Sequence, residues 1–119
     1  MQDLPKIRDQ ISRKDLFDAF KQQLAKDFEQ CNCSSQFVQA LQPDFDSIRG
    51  VIQTELKRNE TRSDFDLMQL LYRIDIDESR LKKYLAENNP ESYYHIIAEQ
   101  IIKRILQKVV IRKFYKGKE

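Results

Sequence analysis

From Tyr94 to Val110 two apolar stripes run side by side at helical spacing, and they constrain the fold more than any other feature. Tyr94, Ile97, Ile101 and Ile105 form one; Ala98, Ile102, Leu106, Val109 and Val110 form the other. A helix this broadly apolar has to be surrounded by other elements. Asn89 reads as its N-cap and Pro90 as its first residue, a pairing that favours helix initiation. The helix is expected to run from Pro90 to about Phe114, nearly 40 Å at ~1.5 Å per residue.

Shorter amphipathic segments supply the surroundings. Leu16, Phe17, Phe20, Leu24, Phe28 and Cys31 predict a helix over 13–30, with Ser12 as N-cap. A short turn carries Phe37, Val38 and Leu41, and Pro43 ends it. Phe45, Ile48, Ile52 and Leu56 predict a helix over 44–58; Gly50 inside it points to a close crossing or a local irregularity. Phe65, Met68, Leu71 and Tyr72 predict one over 65–73, capped by Ser63 or Asp64, and Leu81, Tyr84 and Leu85 another over 78–88, capped by Asp77. Pro5 argues for an extended lead-in over residues 1–11, ahead of a single helical domain over 12–119. The expected fold is all-α: one compact domain of about five helices, with the long C-terminal helix as its spine. Only two Gly and three Pro occur, which disfavours a turn-rich β fold, and no repeat is visible.

At 119 residues the chain has room for one domain. A 40% apolar, 34% charged composition suits helices with solvated outer faces. No apolar run exceeds three residues, against the roughly 20 of a membrane span, and residues 1–6 hold no apolar signal core. With two cysteines and no disulfide framework, the expected location is cytoplasmic.

Charge is unevenly placed. Residues 103–119 hold seven cations against Glu119, a net of +6, so the other 102 residues sum to −4 of the chain's +2. Arg104, Lys108, Arg112 and Lys116 recur every fourth residue and share one helix face, with Lys113, Phe114 and Tyr115 beside them. Aromatic and cationic side chains together suit a protein interface. A row of cations also suits a phosphate backbone, and it is equally what a solvated helix end looks like.

Catalytic and metal-binding readings find little support. Cys31 and Cys33 lack the spacing and the second ligand pair of a structural zinc site; a half-buried Cys31 ending its helix, with Cys33 in the loop, accounts for them. His95 has Glu91 one turn earlier, a surface pair rather than a catalytic dyad. Asp44 and Asp46, Asp64 and Asp66, and Asp75, Asp77 and Glu78 all fall at expected helix starts, where carboxylates oppose the macrodipole. Asp75-Ile76-Asp77 opens like a calcium loop, but Arg80 and Ala86 stand where that loop needs Gly and Glu. No cofactor and no small-molecule substrate are evident. Leu71-Tyr72-Arg73 matches the tripeptide of the mitochondrial LYR family, but that family carries it early in its first helix, and nothing is inferred from it.

The stretch Leu67-Met68-Gln69-Leu70-Leu71 with Ile76 through Leu85 resembles a helix-turn-helix unit. That resemblance implies DNA contact from the second helix, through Ser79, Lys82 and Lys83. The sequence departs from the family at Tyr72-Arg73-Ile74-Asp75, where the turn usually holds Gly.

The expected function is a non-catalytic interaction module that docks a protein partner through the basic, aromatic last helix, or self-associates through it. The alternative is nucleic-acid binding by the 65–88 hairpin together with the basic stripe.

Overall fold

The computed structural model describes residues 4–87 and 93–115. Among them it holds six α-helices and no strand: α1 Leu4–Ser12, α2 Lys14–Glu29, α3 Phe45–Asn59, α4 Leu67–Ile74, α5 Glu78–Glu87 and α6 Tyr93–Tyr115, with a 3₁₀ turn over Gln36–Ala40. The fold is all-α and compact around its last helix.

α6 owes its position to its two stripes. Ile97, Ala98, Ile101, Ile102, Ile105 and Leu106 are fully buried, and α3 and α2 pack most extensively on them. α1, α4 and α5 also touch α6. Its 23 residues span about 35 Å at ~1.5 Å each, most of the molecule's 41 Å long dimension. The proposed start at Asn89 and Pro90 lies outside the described residues, as do the side chains of Tyr84 and Leu85.

Residues 4–12 are helical, not an extended lead-in. Pro5 sits in the first turn of α1, where its missing N–H has no partner to lose. Ile7 and Ile11 lie one turn apart and are completely buried in the common core. Ser12 closes α1 rather than capping α2, its hydroxyl donating to the Asp9 carbonyl at 2.7 Å. Arg13 occupies the N-cap position of α2 without a side-chain cap.

Of the acids expected at helix starts, Asp44, Asp66 and Asp77 act as caps, whereas Asp75 ends α4 and Asp64 binds Arg62. Asp44 accepts from the Ser47 N–H at 2.8 Å. Asp66, rather than Ser63 or Asp64, caps α4 by accepting from Met68 and Gln69. Asp77 caps α5 by accepting from Ser79 and Arg80. Starting at Leu67 turns Leu70, Leu71 and Ile74 inward and leaves Met68 and Tyr72 exposed, Tyr72 by 87%, where the sequence placed both on the inner face.

Gly50 marks neither a crossing nor an irregularity. It lies exposed within α3, and a Cβ built on it meets nothing within 4 Å. Replacement by Ala is therefore expected to stabilise the fold by about 0.5–1 kcal/mol, because Ala loses less backbone freedom in a helix. A rise in the thermal midpoint would show it; a fall would mean the site is not open.

Candidate functional site

The outer face of α6 is not a free row of cations. Arg104 reaches Asp75, with Nη2 2.7 Å from Oδ2 and Nε donating to the Asp75 carbonyl at 3.2 Å. Lys108 Nζ lies 3.7 Å from Asp27 Oδ2. Arg112 donates to Gln23 Oε1 at 2.6 Å. Lys113 Nζ lies 3.2 Å from Asp15 Oδ2, and the contact holds the Asp15 carboxyl below the usual carboxylate range. Asp15, Gln23 and Asp27 belong to α2, so one flank of that helix receives the stripe. Spacing shows which cations share a helix face, not which helix lies against it. Lys116 lies outside the described residues, as does the side chain of Tyr115.

Asp27 is the hub of these contacts. It is 2% exposed, accepts from Gln23 Nε2 at 3.1 Å, and has Arg73 of α4 at 4.0 Å in addition to Lys108. Burial pushes the Lys108 ammonium below its usual pKa, and the Asp27 charge opposes that shift.

Beside Gln107, Arg112 and Lys113, the helix end also leaves two apolar side chains in solvent. Ile111 and Phe114, three residues apart on α6, are 46% and 56% exposed. Arg112 lies between them in sequence; it donates to the neutral Gln23 and has no carboxylate partner among the described residues.

The α4–α5 hairpin has the turn that its sequence seemed to lack. Asp75 adopts the left-handed conformation, φ 72° and ψ 48°, and α4 ends with Ile76 N–H on the Leu71 carbonyl and Asp75 N–H on that of Tyr72. This is a Schellman ending with Asp where glycine is usual, an exchange that Asp tolerates better than most residues. Ser79, Lys82 and Lys83 are all exposed on α5, and Lys82 pairs with Glu78 at 3.7 Å.

No protein-family model, curated protein or solved structure matches this chain. Function has to be argued from its own side chains.

His95 meets Glu99, one turn later, at 3.5 Å; the expected partner Glu91 lies outside the described residues. Glu99 also binds Arg49, which binds Asp46, which binds Arg8, so the imidazole ends a charge chain across α1, α3 and α6. Such a chain ties helices together and holds no oriented nucleophile. Cys31 is half-buried as expected, the loop residue Cys33 is buried, and burial raises both thiols, which weakens them as nucleophiles. No three potential metal-ligating side chains converge among the described residues, and no helix there is long and apolar enough to cross a membrane.

Sequence reasoning missed Asp27 and Gln23. The signal was present: Asp27 follows Leu24 by three residues and precedes Phe28, so it borders the apolar stripe of α2. A carboxylate at such a position needs a cation brought to it.

Proposed function

We propose that the domain is a non-catalytic interaction module that docks a protein partner through the outer end of α6, with Ile111 and Phe114 as its anchors. The observation that carries this reading is the exposure of those two side chains on a helix whose other large apolar groups are mostly buried. Arg112, with its charge unneutralised beside them, favours a partner segment that is apolar and flanked by acids. Arg104, Lys108 and Lys113 are held by the domain's own carboxylates and serve the fold instead. Two free thiols, Cys31 half-buried and Cys33 buried, fit a reducing compartment such as the cytoplasm.

The test is the double substitution Ile111→Ser with Phe114→Ser. It should abolish capture of the partner from source-cell extract while the helical signal stays intact. Unfolding should shift by no more than about 0.5 kcal/mol, because neither group is in the core. Capture that survives both changes places docking elsewhere.

Nucleic-acid binding through the α4–α5 hairpin is the second reading. The left-handed Asp75 turn and the exposed Ser79, Lys82 and Lys83 favour it. Duplex DNA should then bind with steep salt dependence and weaken on Lys82→Ala and Lys83→Ala. Absence of binding at low salt eliminates it.

A further inference from the structure

We propose that the cavity between the α4–α5 turn and α6 binds a small organic dianion of the phosphomonoester class. This goes beyond the docking reading and shares none of its anchor residues.

The cavity measures about 230 Å³. Asp75, Asp77 and Arg80 line it from the turn and the start of α5; Gln100, Lys103 and Arg104 line it from α6. Two carboxylates stand beside three cations, and their partners show which cations are left over. Asp75 is occupied by Arg104 at 2.7 Å. Asp77 is occupied by the Ser79 and Arg80 N–H groups that it caps. Among the described residues the side chains of Arg80 and Lys103 have no ion pair and no hydrogen bond. Arg80 from α5 and Lys103 from α6 are thus left without a carboxylate partner, and with the capped but still charged Asp77 the lining carries a net charge of +1.

Two further features define the ligand. Gln100 has a buried amide nitrogen with no hydrogen-bond partner among the described residues, a donor in need of an acceptor. Ile76 adds an aliphatic stretch of wall, which suits the carbon body of an ester better than a bare ion. The volume lies below the roughly 300–1,000 Å³ of drug-sized sites, so the ligand is small. Arg80 supplies the planar fork that matches phosphate oxygens, and Lys103 a point charge.

The experiment is amide NMR titration of the full chain with inorganic phosphate and with ethyl phosphate, ionic strength being held constant with chloride. Saturable shifts at Ile76, Asp77 and Lys103 are expected at roughly millimolar concentrations, a range set by a few charge-assisted contacts. Ethyl phosphate should bind more tightly than inorganic phosphate. Arg80→Gln and Lys103→Gln should each weaken binding about tenfold, the loss of one charge-assisted contact, while Lys57→Gln, on α3, should not. The same spectra show that each variant is folded. Shifts that rise linearly without saturating would overturn the proposal. So would saturable binding that survives both substitutions, or that is lost instead with Lys82→Gln and Lys83→Gln. The docking test at Ile111 and Phe114 is independent of each of these results.

Discussion

Asp27→Ala is expected to remove about 3–5 kcal/mol of unfolding free energy, the usual loss when one member of a buried ion pair is deleted. The carboxylate is 2% exposed and joins three helices through Gln23, Arg73 and Lys108. Its removal leaves the ammonium of Lys108, 20% exposed, without the charge that offsets its burial. Urea denaturation with an unchanged slope should read the loss directly. Asp27→Leu combined with Lys108→Met should recover much of it, because an apolar pair needs no desolvation of charge. A loss below about 1 kcal/mol would mean the contact is no stronger than a surface pair.

The pH dependence of this contact runs opposite to that of a usual stabilising lysine. Lys108 has a folded pKa below its ordinary value of 10.5, so in the interval between the two the unfolded chain binds more protons. Its contribution is a cost, present in full at neutral pH and relieved as pH rises through the folded pKa toward 10.5.

Ile7→Ala and Ile11→Ala should each destabilise by about 2–5 kcal/mol, the range for truncating a fully buried aliphatic side chain. Both side chains are at most 1% exposed. Circular dichroism of the double variant should show lost cooperativity or a large drop in midpoint. A near-neutral result would restore residues 4–12 to the status of a dispensable lead-in.

That segment shows where sequence reasoning stops. Pro5 carries two meanings, a break for the residue before it and a favourable first turn for those after it. Only the burial of Ile7 and Ile11, which depends on α2, α3 and α6 lying alongside, decides between them. α6 was legible because its two stripes repeat over five turns and no alternative period fits them. The caps at Asp44 and Asp77 were legible because a carboxylate satisfying helix N–H groups is a local event. The state of Arg104, Lys108 and Lys113 was not, since each answers to an acid 29 to 98 positions away in the chain. Gly50 failed differently: the sequence offered two reasons for it, and the open space around its Cα supports neither.

The spine helix also sets a timetable. Of the six helices, α6 leaves the ribosome last, yet α1, α2, α3, α4 and α5 all bury apolar side chains against it. Until Ile97 through Leu106 emerge, α1 can pack on α2 and α3, and α2 on α4, but the greasy faces that close on α6 stay open to holdase chaperones and to one another. Completion of the core thus waits for the last helix, and a translational pause ahead of α6 would prolong the interval in which those faces are open.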